Sequence, residues 1–436
     1  MSRKLATPTH NHKGSHADDF EQLTPISEAL RIVFGNLPKT ALGMEKVPLS
    51  SAIGRILAED VVSPVDIPIF EKSTKDGYAV IANDTNGATS TAPVFLRIVG
   101  AIPIGTIPKI RITKGETASV VTGGQLPQGA NAVVMVECTK IHEDETVEIS
   151  DRVESAENVT QIGEDVRKGS TVLRKGTRLL PQDVGMLTYL GKNQVTVVSK
   201  LKVAVLSTGS ELDAHPVAVS GKIPDINRPT LISALWDLDC EPIDLGIVPD
   251  EFDQIRSKLR HGIKKADLVL VTAGTSVGPR DMVPEIINSL AKPGMLVHGV
   301  AMRPAMPTGL AVVDGKPVVS LPGFPVSAYV AILELVRPLI DFMLGTNSMP
   351  RPVVRAKLHG HVKGELGTRI FARVLVTSID EGYVAEPVKA SSAAILNSLV
   401  QANGFVVVPE NVEGYEEGQE VDVELFRTPQ PMQRVG

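Results

Sequence analysis

From Lys202 onward the chain alternates short apolar runs with helix-length segments, and this alternation limits the fold more than any other feature. KVAVLS precedes the helical stretch Pro229–Leu238, PIDLGIV precedes Glu251–Ile263, and DLVLVT precedes Met282–Leu290. Such apolar runs are too short for buried helices and show no polar alternation, so they read as strands covered on both faces. Strand and helix in turn imply right-handed crossovers and a parallel sheet. Two more apolar strands, Leu310–Val313 and Pro317–Leu321, lead into a long helix, Val326–Leu344, that closes the domain.

The flanking segments read differently. Thr24 is expected to cap a helix with Pro25 in its first turn, its apolar face formed by Ile26, Leu30, Val33, Phe34 and Leu37 and its end set by Pro38. From about Val61 to Ser150, β-branched runs such as VFLRIVG, TASVVTGG, NAVVMVE and TVEIS alternate with Pro/Gly turns, the pattern of a small all-β unit. Residues 160–200 carry a helix from Pro181 to before Gly191 and the strand QVTVVS, and are expected to pack back on the first helix, which makes the β unit an insertion. After the linker TNSMPRP, the runs RPVVRAKL, RIFARVLVTS, YVAEPV, GFVVVPE and EVDVELF read as a small barrel or sandwich. The expected division is a flexible tail over 1–20, a discontinuous domain over 21–62 and 151–200, an inserted β domain over 63–150, an α/β domain over 201–346 and a β domain over 347–436.

Composition removes several classes of function. A net charge of −6 gives no general attraction to nucleic acid or to an anionic membrane, and no apolar run approaches the ~18 residues of a membrane helix. The two cysteines, Cys138 and Cys240, form no CxxC and fit a reduced, cytoplasmic protein without structural zinc. His10, His12 and His16 lie in the polar tail and read as part of it.

Polar groups gather where strands of the α/β domain end: Ser207, Thr208, Gly209 and Glu211 in STGSE, the stretch Thr272–Asp281, and LPGFPVS over 321–327 with Pro322 and Pro325. One Gly-rich turn after a strand is usually only a tight connection, but consecutive parallel strands point the same way and bring their loops to one rim. In the second loop Gly274 and Gly278 let backbone N–H groups approach an anion closely. Glu211, Asp250 and Asp281 share this rim, and carboxylates beside a phosphate-sized loop repel the ligand unless a hard cation lies between them, which implies Mg²⁺. Asp250 can equally be a helix cap before Glu251. In KSTKDGYAV, Asp76-Gly77 has the form of a turn, Thr122–Gly124 that of a bulge, and Asp165 lies in a polar connection.

Together the pieces resemble the MoeA/gephyrin E-domain family, the molybdopterin molybdenumtransferases. The match covers about residues 20–425 and rests on ordered motifs: GRILAEDVVSPVDIP (54–68), SxxDGYAV (73–80), TGG (122–124), GEDV (163–166), KGTRL (175–179), LSTGSEL (206–212), DINR (225–228), GTSVG (274–278), LPGFPVSA (321–328) and FARV (371–374). The resemblance implies an α/β multidomain homodimer: a MogA-like α/β domain, an inserted β domain, a discontinuous N-terminal domain and a C-terminal β-barrel. It implies cleavage of adenylylated molybdopterin with a divalent cation and insertion of molybdate, or tungstate, into the dithiolene, with a MogA-like adenylyltransferase as a partner. On this reading Asp76 and Thr122 of one subunit face Glu211, Asp250 and Asp281 of the other; Thr275 and Ser276 of GTSVG line the pocket, Asp165 is a further acidic position, and Arg303, Arg373 and Ser392 belong to the substrate site.

The chain departs from the family at that pocket. Where the family reads close to HKVAMKPGKPLAFG, residues 298–311 read HGVAMRPAMPTGLA, so Gly299 and Met306 replace two lysines, Arg303 replaces a third and Ala305 replaces a glycine. Pro279 and Met282 flank Asp281, Phe324 stands for an asparagine, Lys75 for an apolar residue, and SSAA over 391–394 for a segment with a GS pair. Each lost lysine removes on the order of 1–4 kcal/mol of anion attraction, so nucleotide and metal binding are expected to survive better than molybdate binding. The alternative to the enzyme is a non-catalytic relative that carries pterin cofactor or scaffolds a partner.

Overall fold

The structure, a computed structural model, describes residues 23–38, 42–215, 221–272, 282–390 and 392–431. The polar tail and GTSVG with Asp281 lie outside these residues. The chain divides into two compact units, one running up to Glu45, over Gly54–Ile56 and from Val198 onward, the other over Lys46–Ile53 and Leu57–Val197.

The first unit is built on a six-stranded sheet in the order Glu241–Val248, Lys202–Thr208, Leu268–Thr272, Lys316–Leu321, Gly309–Val313, Pro293–His298. The first four strands are parallel, and the last two run antiparallel at one edge. The edge strand Pro293–His298 is not evident from the sequence, because its Pro-Gly start reads as a turn. Alternate residues of each central strand feed opposite cores. Val203, Val205, Leu268, Leu270, Val319 and Leu321 pack on one side, and Ala204, Leu206, Val269, Val271 and Val318 on the other. Both faces are covered, which is why these strands are apolar without a break.

Helices Phe252–Lys265 and Val283–Leu290 cover the second face through Ile255, Leu259, Ile263, Val283, Ile286 and Ile287. Helix Asn227–Asp237 lies on the first face with a long helix that runs from Pro325 to Leu344 through a π turn at Ile332–Val336. Pro338 has no N–H to offer the Glu334 carbonyl one turn earlier, and the helix widens just before it.

The first helix, Ile26–Asn36, also joins this core through Ile26, Ala29 and Val33, and Phe34 stacks on Phe342 with ring centroids 4.1 Å apart. This corrects its expected packing against Pro181–Tyr189, whose Leu187 lies in the core of the second unit. Thr24 is not the cap either. Its N–H donates to the Gly299 carbonyl at 3.1 Å and its carbonyl accepts from Ala301 N–H at 2.8 Å, so it extends a strand-like bridge, and the helix begins after Pro25 without a side-chain cap.

The C-terminal strands close into a five-membered ring. Arg369–Ile379 pairs with Gly382–Pro387 and with Gly404–Val408, Gly404–Val408 with Glu420–Leu425, that strand with Val353–Leu358, and Val353–Leu358 with Gly382–Pro387. Val374, Val376, Ala385, Val406, Val421 and Val423 fill its interior. The Arg351 guanidinium joins this barrel to the long helix, bonding Glu334 in the π turn and Glu424 in the last barrel strand. Burial raises the Glu334 pKa, and the charge of Arg351 opposes that shift.

In the second unit, Val47, Leu49, Ala52, Leu57, Val61 and Ile67 share a core with Val166, Leu179, Leu187, Leu190, Val195 and Val197, two chain segments separated by the β strands. Those strands form a six-stranded sheet in the order Ala132–Met135, Gly77–Val80, Glu116–Val120, Val94–Ile102, Thr146–Ile149, Thr139–Ile141. Glu116–Val120 and Val94–Ile102 are parallel, and the other neighbours are antiparallel.

Phe405 is 1% exposed and packs against Phe371 and Phe426, with centroids 6.3 and 5.0 Å away. Phe405→Ala is expected to cost about 3–5 kcal/mol through lost burial and a residual cavity, read as a lower Tm of the full chain; an unchanged Tm contradicts this packing.

Candidate functional site

The register of the parallel strands sets the site. Thr208 stands opposite Val248, Ser207 opposite Thr272, and Thr272 opposite Leu321, so the chain leaves these strands along one rim. Ser207 and Thr208 are fully buried: the Ser207 hydroxyl lies 3.0 Å from the Thr272 hydroxyl, and Thr208 Oγ1 donates to the Thr272 carbonyl at 3.2 Å. They fasten adjacent strands, and the loop beyond them carries the exposed groups.

In that loop Ser210 N–H donates to Asp250 Oδ2 at 3.1 Å, while Asp250 N–H donates to Ser210 Oγ at 3.0 Å. The helix after Asp250 starts at Phe252 with Glu251 at its cap position, so Asp250 is occupied by the neighbouring loop and is not the helix cap. Glu211 follows directly, its carbonyl accepting from Ile223 N–H at 2.9 Å. Gly209 is needed for this approach, since a Cβ there lies 2.8 Å from Glu211 Oε1 and 2.9 Å from Leu212 Cγ. Ser210, which joins the two acids, is not distinguished by the sequence; its role comes from a reciprocal bond across 40 positions.

The third loop is held from the DINR motif, where Asn227 Nδ2 donates to the Gly323 carbonyl at 2.7 Å. Pro322 is buried, Phe324 is exposed, and Pro325 opens the following helix, where its missing N–H costs nothing.

In the second unit, Asp76 Oδ1 accepts from Thr122 N–H at 2.6 Å and from Thr122 Oγ1 at 2.8 Å. The segments are laced further by Gly123 N–H to the Ser73 carbonyl at 2.8 Å and Ser73 N–H to the Gly124 carbonyl at 2.9 Å. Asp76-Gly77 is therefore not a hairpin turn. Gly77 opens a strand, and a Cβ there falls 1.9 Å from the Val134 carbonyl oxygen. The Thr122 N–H, then its hydroxyl, hold the Asp76 pKa below the usual carboxylate range. Asp165 is exposed and lines a cavity of about 510 Å³ with Arg167, Ser170 and Met186.

The remaining candidates lie around the barrel. Arg373 Nη1 donates to Ser398 Oγ at 2.7 Å, its Nε is buried without a hydrogen-bond partner, and burial lowers its pKa. Ser392 Oγ accepts from Ala394 N–H at 3.0 Å. Arg303 pairs with Glu365 at 3.0 Å. Met306 is 5% exposed and Gly299 has φ +98°, so this turn carries no cation at either position. Ala305, also buried, is held at φ +96° in a turn closed by Thr308 N–H to its carbonyl at 3.1 Å.

Among the described residues, no group of three or more His, Cys, Asp or Glu is placed to hold a metal. Magnesium, however, keeps several waters and substrate oxygens and needs only one or two protein carboxylates. Glu211 and Asp250, hard oxygen donors on adjoining loops of the rim, fit that requirement.

A doubly covered α/β sheet with a polar strand-end rim and a closed five-stranded barrel in one unit, and a six-stranded β sheet in the other, define a multidomain α/β protein. The chain matches the MoeA N-terminal region (domain I and II) over residues 24–191, a probable molybdopterin binding domain over 204–341, and the MoeA C-terminal region (domain IV) over 355–426. It is 32% identical to the molybdopterin molybdenumtransferase of Bacillus subtilis, covering 92% of this chain and 94% of that protein. With the molybdopterin molybdenumtransferase of Haemophilus influenzae it shares 31% identity over 88% of this chain and 94% of the other. The crystal structure of the molybdopterin biosynthesis MoeA protein from Pyrococcus horikoshii superposes with a TM-score of 0.81 at 34% identity, covering 93% of this chain and all of that one. The chain belongs to the MoeA family.

Thr122→Val removes one of the two donors on Asp76 and is expected to move the carboxyl titration midpoint up toward the ordinary aspartate range. Because the folded carboxyl titrates below its unfolded value, its help in holding the Ser73–Asp76 turn is complete above that range and is lost as pH falls through the folded midpoint. NMR titration of Asp76 reads this, and an unmoved midpoint refutes the assigned cause. Ala305→Gly is expected to relieve backbone strain and stabilise the chain by about 1 kcal/mol, read in thermal unfolding. A loss of stability there means that the buried methyl matters more than the strain.

Proposed function

We propose that the protein is a molybdopterin molybdenumtransferase: it cleaves adenylylated molybdopterin with Mg²⁺ and transfers molybdate or tungstate to the dithiolene. The observation that carries this reading is the Ser210–Asp250 clasp, which joins two carboxylate-bearing loops on the rim of a family-matched α/β domain. Glu211 and Asp250 hold the cation, with Asp281 as a third acid outside the described residues. Bound there, Mg²⁺ supplies charge neutralisation and polarisation at the phosphoanhydride.

The chain's own residues orient the substrate around that point. The tight turn at Gly209 brings the Glu211 carboxylate back beside the strand end. Asp76 is kept ionised by Thr122 and serves as a fixed acceptor or general base for a hydroxyl or water proton. Arg373, desolvated and with an unused Nε, supplies a positive group for the oxyanion. In this reading the protein works as a cytoplasmic homodimer, with one subunit's Asp76 and Thr122 meeting the other's rim; the reduced-thiol composition supports the location, and the family resemblance supports the dimer.

A second reading, a pterin carrier without turnover, is favoured by one observation: the buried Met306 and the positive φ of Gly299 leave a family lysine turn without its charges. Reconstitution separates the two. With adenylylated molybdopterin, Mg²⁺ and molybdate, AMP release and active cofactor are both expected; EDTA is expected to stop AMP release and Mg²⁺ to restore it. AMP release without metal insertion sinks the transferase assignment, and tight pterin binding without turnover supports the carrier. Asp250→Asn is expected to lower AMP release by at least about 100-fold at near-unchanged Tm, since it removes one ligand charge; full activity excludes Asp250 from the cation site.

A further inference from the structure

We propose that Phe324 is a substrate-binding residue of the rim whose ring stacks on the flat nitrogen heterocycle of the substrate; the inference rests on the function proposed above. The third rim loop is locked on both sides of this residue. Pro322 and Pro325 are buried, Asn227 Nδ2 donates to the Gly323 carbonyl at 2.7 Å, and Val326 N–H donates to the Ala393 carbonyl at 3.2 Å. The Phe324 carbonyl itself accepts from Ala328 N–H at 2.9 Å. On this fixed backbone Phe324 is 56% exposed, between a strand end and a helix start that are both buried. Phe324 also stands at the cap position of that helix, where asparagine, aspartate, serine or threonine would bond the free N–H groups, and it makes no side-chain cap bond. An aromatic ring occupies the rim in place of a helix cap.

A single exposed apolar residue is ordinary on a protein surface, but it requires neither an anchored backbone nor a place on a strand-end rim. The sheet fixes where this ring stands. Leu321 lies opposite Thr272 and Thr272 opposite Ser207, so one strand separates the third loop from the first. With neighbouring strands ~4.8 Å apart, the two loops leave the sheet about 10 Å from each other. That spacing is longer than a phosphate group and suits a substrate with its phosphate at Glu211 and Asp250 and a ring system at Phe324. The loops are also tied together, since Asn227 belongs to the segment whose Asp225 N–H donates to the Asp213 carbonyl at 3.0 Å in the continuation of the first loop. Adenine and pterin are both planar, and a phenyl face stacks on either without asking for a particular hydrogen-bond pattern. Its side chain has few rotatable bonds, so little freedom is lost when the ligand binds.

The test is calorimetric titration of the full chain, with Mg²⁺ present, using AMP, ribose 5-phosphate and 6-hydroxymethylpterin as probes. It compares the unmodified protein with Phe324→Ala, Phe324→Asn and Phe324→Tyr, each with its Tm and its oligomeric state from analytical ultracentrifugation. Phe324→Ala and Phe324→Asn are expected to weaken a heterocyclic probe at least about fivefold, the loss of a stacked ring, and to leave ribose 5-phosphate unaltered. A loss confined to AMP assigns the ring to the adenine, and one confined to 6-hydroxymethylpterin assigns it to the pterin half. Phe324→Tyr keeps the aromatic face and is expected to stay within about threefold of the unmodified protein. Phe324→Asn is expected to match or exceed the unmodified Tm because it can cap the helix, so weaker binding in that variant is not a folding defect. In the cleavage reaction Phe324→Ala is expected to raise KM at least about fivefold, and by more than it lowers kcat. Unchanged KM with unchanged affinity for both heterocycles, an equal loss for ribose 5-phosphate, or a loss that accompanies a change of oligomeric state overturns the assignment while the function stands. An unmodified protein that binds none of the probes and does not cleave adenylylated molybdopterin brings down the function and this inference together.

Discussion

The hydrogen-bond ladder of the four parallel strands is the constraint on which the rim depends. Parallel pairing in register places Thr208, Val248, Thr272 and Leu321 at one edge, and every loop that leaves them starts from nearly the same level. The ladder is fixed by burial on both faces, since a one-residue slip exchanges the residues of the two cores. Ser207 and Thr208 add side-chain bonds to Thr272 at the edge itself. The rim is thereby anchored in strands buried on both faces, while Glu211 and Asp250 stay exposed.

Local polar contacts then convert a strand edge into a chemical surface. Ser210 and Asp250 hold two loops together with a pair of bonds, and Gly209 gives the space that lets Glu211 turn beside them. The same economy recurs in the second unit, where one carboxylate, Asp76, accepts both donors of Thr122 and joins two sheet-edge segments. Asp250 is oriented by the Ser210 N–H, and Asp76 is oriented and held ionised by the N–H and hydroxyl of Thr122.

The turn over residues 298–309 departs from the pattern that the family resemblance implies. A buried methionine, a glycine and an alanine at positive φ stand where the resemblance places lysines and a glycine, and Arg303 is already paired with Glu365. Arg373, by contrast, is desolvated by its surroundings and has a buried Nε without a hydrogen-bond partner, and the proposed function makes it the positive group for the oxyanion.

Much of the architecture was legible without coordinates. Period and run length identified the buried strands, the covering helices and the five barrel strands, because a strand buried on both faces must be continuously apolar and a barrel strand must alternate. Motif order pointed to Glu211, Asp250, Asp76 and Thr122. The sequence also misled where local signals have tertiary competitors: Thr24 looked like a cap but its backbone joins residues 299–301, and Asp76-Gly77 looked like a turn but Gly77 is required by the Val134 carbonyl. The first helix was correctly amphipathic yet was assigned the wrong companion, since an apolar face does not state which core it enters. Composition and pattern by themselves determined the kinds of elements and the chemical groups available; only the tertiary structure decided that Ser210 clasps Asp250, that Asn227 holds the third loop and that Met306 is sealed from solvent, because hydrogen bonding and burial act between residues that no local period relates.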